Sequence, residues 1–123
     1  MTGKISILYD TIRLEEKLLI ESAKKNDIAI DMVDCKKLFL DLNEKNCLEG
    51  PVLQRCVSYY RNLHSTAALE GQGAKVVNCL NTGIFAGNKL FTHMLLQKAG
   101  VPTPDATVAF SKDSALEALK KHG

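Results

Sequence analysis

No apolar run in this 123-residue sequence approaches the roughly 20 residues that a membrane-crossing helix needs. No secretory segment is evident either, because Met1-Thr2-Gly3-Lys4 leads straight into a strand-like run, so no membrane association and a cytoplasmic location are expected. Charge of one sign is also lacking. The 16 Lys and Arg stand against 14 Asp and Glu, leaving +2 with the 3 His neutral. No basic stripe interleaved with aromatics appears, which argues against nucleic acid as a partner. The four cysteines, at 35, 47, 56 and 79, have no C-x-x-C spacing, so neither a zinc knuckle nor a thioredoxin-type motif is expected. Scattered in this way they read as small buried hydrophobes. His64, His93 and His122 are equally dispersed, and no metal site is expected from them. Neither an H-E-x-x-H pattern nor a pair of carboxylates placed for acid–base chemistry is present.

What is present is a globular composition, 46% hydrophobic and 24% charged, with no repeat or low-complexity stretch. The length fits one ordinary domain, able to bury on the order of two-thirds of its unfolded surface without a metal or disulfide. Short apolar runs alternate with helix-like segments. Residues 4–9, 28–33, 51–56 and 75–78 read as strands, and Pro51 stands at a strand entry where no ladder donor is needed. Asp10 or Thr11 is expected to cap a first helix that puts Leu14, Leu18 and Ala23 on its inner face. Lys24 and Lys25 fall in its last turn, and Asn26 stops it. Residues 59–69 read as a second helix with Tyr60, Leu63, Ala67 and Ala68 inward. Residues 34–50 read as a connection with room for one edge strand, and 81–87 as a turn-rich loop. A helix over 88–99 is stopped by Gly100, then Pro102 and Pro104. Residues 105–110 alternate like a strand, and 111–122 read as a last helix with Leu116 and Leu119 inward. Strands joined by crossover-length connections predict an α/β fold, a small Rossmann-like parallel sheet with helices on its faces.

Three segments carry candidate chemistry. Tyr9-Asp10-Thr11-Ile12-Arg13 follows the first strand at the same sheet edge as the segment after the third, and there a plain helix cap is the stronger reading. Arg55, Ser58, Tyr59 and Arg61 follow the third strand, at the edge where open parallel sheets bind ligands. The arginines suit a carboxylate or phosphate, and Ser58 suits a helix cap. Ordinary surface arginines and a plain cap are the competing reading. Lys89 follows Gly83 and Gly87 and stands in the first turn of a helix, where a cation opposes the dipole. Such a local conflict fits a phosphate contact or a merely solvated lysine. The segment lacks the spacing of a Walker A loop. Tyr9-Asp10-Thr11-Ile12-Arg13 has none of the glycines that a dinucleotide's pyrophosphate requires, which excludes a nicotinamide-dependent oxidoreductase.

Residues 52–59 (VLQRCVSY), 64–70 (HSTAALE), 76–78 (VVN), 87–92 (GNKLFT) and 99–104 (AGVPTP) occur in an order that resembles the ATP-grasp ligases. The resemblance is to those that join α-aminoadipate or glutamate to the C-terminal glutamate of an amino-group carrier protein in lysine and arginine biosynthesis. The ribosomal-protein glutamate ligase is a cousin. It implies that residues 1–100 form a pre-ATP-grasp domain and that 101–123 supply the first strand and helix of a truncated ATP-grasp domain. It matches Lys89 to a nucleotide-contacting lysine, and Arg55, Ser58 and Tyr59 to a motif facing the substrate cleft. It assigns no catalytic residue and no metal ligand to this chain. ATP and magnesium belong, by resemblance, to the full-length parent, with the carrier protein and an amino acid as partners. The chain alone is expected to be inactive and to bind no cofactor tightly. A freestanding, non-catalytic Rossmann-like module is the alternative. In either case a homo-oligomer is expected, because the strand at 105–110 lacks sheet partners.

Overall fold

A computed structural model describes residues 3–45 and 48–122. Two compact units make up the chain, residues 1–92 and 93–123. In the first, β1 (Ile5–Tyr9), α1 (Leu14–Lys25), β2 (Ile30–Asp34), β3 (Val52–Gln54), α2 (Tyr59–Gly71), β4 (Val76–Val77) and α3 (Leu80–Ala86) follow in chain order. The four strands form one sheet in the order β2-β1-β3-β4, every pair parallel. The expected parallel α/β arrangement is therefore present.

Register sets which side chains meet. Ser6 lies opposite Val52, which lies opposite Val76, and Leu8 lies opposite Gln54. Because strand side chains alternate, these five share one face, and Ile7, Leu53 and Val77 share the other. On the first face Leu8, Val52 and Val76 join Cys56 and Leu69 of α2 in the buried core. Burial of a leucine such as Leu8 or Leu69 stabilises the fold by roughly 2 kcal/mol. The chain leaves β1 toward β2 through α1, and leaves β3 toward β4, on the far side of β1, through α2. Right-handed crossovers in opposite directions put the two helices on opposite faces of the sheet. The strand order thus reverses between β1 and β3, and a crevice opens at the carboxyl ends of those two strands.

Several local expectations are corrected. On α1 the buried residues are Glu16 and Ala23, while Leu14 and Leu18 face solvent. On α2 the buried face is Ser65, Thr66 and Leu69, while Tyr60 and Ala67 are exposed. Neither Asp10 nor Thr11 caps α1. Arg13 occupies that position, and Glu16 reaches back to its backbone N–H, half of a capping box. The left-handed residue after α1 is Asp27 (φ 52°), not Asn26. Residues 81–87 are not an open loop, because α3 occupies most of them. Of the cysteines, Cys56 is buried as expected, but Cys35 is only partly buried and Cys79 is exposed. Cys47 lies outside the described residues.

α4 (Lys89–Lys98) runs across the boundary between the units, and α5 (Lys112–His122) belongs to the second. Gly100, at φ 70°, ends α4 as expected, and the Gly100 and Val101 N–H groups bond back to Gln97 and Leu96. Residues 105–110 form no strand, since no neighbouring strand among the described residues offers them a ladder. Leu116 and Leu119, expected inward, are exposed.

Candidate functional site at the strand-order reversal

The crevice is a cleft of about 470 Å³ lined by Arg13 from the turn after β1, by Gln54 to Val57 at the end of β3, by Tyr59 and Asn62 of α2, and by Asn78 and α3 below. Its walls are built from groups distant in sequence. Glu16 is fully buried and holds two arginines. Its Oε2 accepts from the Arg13 backbone N–H at 2.9 Å and from Arg13 Nε at 3.2 Å. Its Oε1 accepts from Arg13 Nη2 at 3.2 Å, Arg55 Nε at 2.9 Å and Arg55 Nη2 at 2.8 Å. The bonds from Arg13, reinforced by Arg55, outweigh burial and hold the Glu16 carboxyl at about 2, below its ordinary 4.5.

Asp10, 2% exposed, does the corresponding job for α2. Burial would raise its carboxyl pKa. The Val57 N–H (2.9 Å), the Ser58 N–H (3.1 Å) and Arg61 Nη1 (3.4 Å) instead donate to it and hold it below the usual range. A carboxylate expected to cap the first helix therefore stands ahead of the second, where its charge also suits the dipole. Gln54 is the third fixed group. Its side-chain N–H groups donate to Ser65 Oγ (2.9 Å) and Thr66 Oγ1 (2.8 Å), and its Oε1 accepts from the Cys56 N–H at 2.9 Å. Asn78, in the left-handed region at φ 62°, turns the chain from β4 into α3 and donates to the Gln54 carbonyl at 3.2 Å.

The floor of the cleft depends on two glycines. A Cβ at Gly87 would lie 2.4 Å from the Tyr59 ring, and one at Gly83 would lie 2.8 Å from Asn62 Oδ1. Both glycines serve the close approach of α3 to α2. Asn62 Oδ1 is buried there without a hydrogen-bond partner.

Of the residues singled out by sequence, Arg55 and Tyr59 line this cleft. Arg55 already holds an internal carboxylate, Glu16, and Tyr59 Oη donates to the Ile84 carbonyl at 3.5 Å. Ser58 caps α2, its Oγ accepting from the Arg61 N–H at 3.4 Å. Lys89 is exposed at the start of α4 and is not among the lining residues. Beside it, Asn88 Oδ1 accepts from the Leu90 and Phe91 N–H groups, so these helix-start donors are already used. Cys56 is inert, because burial pushes its thiol far up. Sequence reasoning placed Arg13 at this sheet edge but favoured a plain helix cap there, and it missed Glu16, Gln54 and Asn78. Two signals were available: the R-x-x-E spacing of Arg13 and Glu16, and an amide, Gln54, inside an apolar strand.

The described residues do not fit a magnesium site. They contain no group of three His, Cys, Asp or Glu placed to hold a metal, and Asp10 and Glu16 spend both carboxylate oxygens on N–H donors.

A model of the LysX preATP-grasp domain matches residues 5–84, which contain the whole sheet and nearly all of the cleft. The chain belongs to this family. Within the LysX preATP-grasp family, it is 30% identical over 120 residues to the glutamate–LysW ligase ArgX of Sulfolobus acidocaldarius, covering 98% of this chain and 43% of that protein. It is 36% identical over 113 residues to the α-aminoadipate–LysW ligase LysX of Saccharolobus solfataricus, covering 90% and 41%. The crystal structure of a RimK domain protein ATP-grasp from Sphaerobacter thermophilus superposes with a TM-score of 0.82 at 24% identity, covering 98% of this chain and 47% of that one. The fold is thus a small parallel pre-ATP-grasp sheet followed by the start of an ATP-grasp fold. The chain spans about two-fifths of the length of the curated relatives it matches. Among the described residues no helix is long and apolar enough to cross a membrane.

Proposed function

We propose that this chain is the N-terminal portion of an ATP-dependent carboxylate–amine ligase that joins α-aminoadipate or glutamate to the C-terminal glutamate of an amino-group carrier protein. The observation that carries the reading is the position of the cleft. It opens at the strand-order reversal of a sheet that the family match covers throughout, and Arg13 and Arg55 are among its lining residues. That is where an open α/β sheet binds ligands, and a guanidinium is the group best suited to a carboxylate. In this reading Arg55, Ser58 and Tyr59 belong to the substrate side and Lys89 to the nucleotide side. Residues 1–100 are the pre-ATP-grasp domain and 101–123 open the ATP-grasp domain.

The parent protein uses ATP and magnesium, acts in the cytoplasm and is a homo-oligomer. Exposed Val108, Phe110 and Leu119 in the second unit are consistent with a covering partner surface. In this reading the isolated chain is inactive, because phosphoryl transfer depends on positioned cations around the phosphates, and the reading assigns these to the remainder of the parent.

A chimera tests this. The chain replaces the matching N-terminal portion of the S. acidocaldarius relative, and ATP-dependent ligation to a carrier protein is measured with glutamate and with aminoadipate. Turnover with either amino acid supports the reading. A folded chimera that ligates neither overturns it and favours a non-catalytic module.

A further inference from the structure

We propose that Arg13 and Arg55 form a divisible clamp on Glu16, and that Arg13 is the arm that turns to an incoming oxyanion in the cleft. The inference rests on the ligase reading only for why such an anion arrives. The clamp itself follows from charge and geometry. Two guanidinium groups share one buried carboxylate, so the pair is left with one positive charge in excess. Glu15, 3.7 Å from Arg13 Nε, offsets little of it, since its side chain is 58% exposed and screened by water. Asp10 is already matched by Arg61 and by two backbone donors.

The two arms are unequal. Arg55 holds Glu16 at 2.9 and 2.8 Å, and its side chain is 26% exposed. Arg13 holds it with two side-chain bonds of 3.2 Å each, and its side chain is 39% exposed. If the Arg13 guanidinium swings away, Glu16 still keeps the Arg13 backbone N–H at 2.9 Å and both bonds from Arg55. The buried carboxylate therefore stays satisfied while Arg13 engages a second anion, and Arg55 remains an anchor. Gln54 cannot take the same part, because its amide is fully used inside the fold.

The ligand class is a carboxylate or phosphoryl oxyanion small enough for a cleft of about 470 Å³. The 123-residue chain, labelled with nitrogen-15, is titrated separately with L-glutamate, inorganic phosphate and ATP. The arginine Nε–H signals and the Val57, Asn78 and Gly83 amides are followed by NMR. Saturable shifts of the Arg13 signal and of cleft amides are expected with at least one probe. Glutamate alone marks a carboxylate subsite, and phosphate or ATP alone marks a phosphoryl subsite. Arg13→Ala weakens that binding at least tenfold, Arg13→Lys by less, and both keep the melting temperature within a few degrees. Arg61→Ala, outside the lining, leaves affinity within twofold. No saturable shift with any probe, or binding that Arg13→Ala leaves unchanged, overturns the proposal. Binding to this chain requires no turnover, so failure here and an inactive chimera are separate results.

Discussion

Glu16 and Arg55 stand 39 residues apart in the chain and meet at 2.8 Å, tying the helix after β1 to the end of β3. This contact crosses the point where the strand order reverses, so it fixes the mouth of the cleft as well as the fold. Its pH dependence follows from the Glu16 carboxyl, ordinarily near 4.5 and held at about 2 in the folded chain. A depressed acid contributes stability that is complete above its unfolded pKa and is lost as pH falls through the folded value. The contribution is therefore whole above about pH 5 and fades toward pH 2. Allowing for screening of the partly exposed arginines, it amounts to about 2 kcal/mol. Urea midpoints measured from pH 7 to pH 2 should fall through this window in the native chain. They should start lower and fall less in Glu16→Gln. Equal slopes for both proteins would show that Glu16 carries no such linkage.

A second prediction concerns Gln54, whose amide supplies the Cys56 N–H with its acceptor and Thr66 with a donor. Gln54→Leu fits the strand in size but leaves the Cys56 N–H unpaired in a buried position. Removing one partner of a buried hydrogen bond costs the desolvation of the other, here about 2 kcal/mol. Chemical denaturation should show that loss, and the Cys56 amide should exchange with deuterium faster than in the native chain. A neutral midpoint would mean that the network adds nothing to stability.

The sheet was legible in the sequence because short apolar runs, turn residues and crossover-length connections all agree on it. The faces of α1 and α2 were not. Leu14 and Leu18 follow the helical period yet are exposed, while Glu16 beside them is buried. Hydrophobic period locates a core only when polar residues stay outside. Here Glu16, Gln54, Ser65 and Thr66 are drawn in by partners 11 to 39 residues away. The sheet edge where the cleft opens could be located from the sequence, because a chain leaving a parallel strand must pass it. The internal carboxylate that Arg55 holds could not be read, because it depends on the register between β1 and β3.

Gly87 makes a third test. Its backbone is ordinary at φ −79°, so an alanine would be tolerated locally. The obstacle is the Tyr59 ring, 2.4 Å from the new methyl group, with the Gly83 carbonyl at 2.7 Å. Gly87→Ala must push α3 away from α2, at a cost of about 1–3 kcal/mol. Gly71→Ala, where nothing lies within 4 Å of the new atom, is the control. Melting temperatures should fall for Gly87→Ala and hold or rise for Gly71→Ala. Equal effects would mean that α3 is not held against Tyr59.

Lys89 stands exposed at the start of α4 and is not among the residues that line the cleft. A phosphate at a helix start normally gains from several backbone N–H groups together with the dipole. At α4 the Leu90 and Phe91 donors are already taken by Asn88 Oδ1, and Lys89 is exposed. One solvated lysine then faces the phosphate with little help, and a screened contact of that kind is worth under about 1 kcal/mol. Calorimetry should therefore detect weak or no ATP binding to the 123-residue chain, and Lys89→Ala should leave the trace unchanged. In the chimera, where the reading places Lys89 on the nucleotide side, the same substitution should raise the KM for ATP several-fold. Tight ATP binding by the isolated chain that vanishes in Lys89→Ala would show that Lys89 already has its partners within these residues, and the division of labour proposed for the parent would then be wrong.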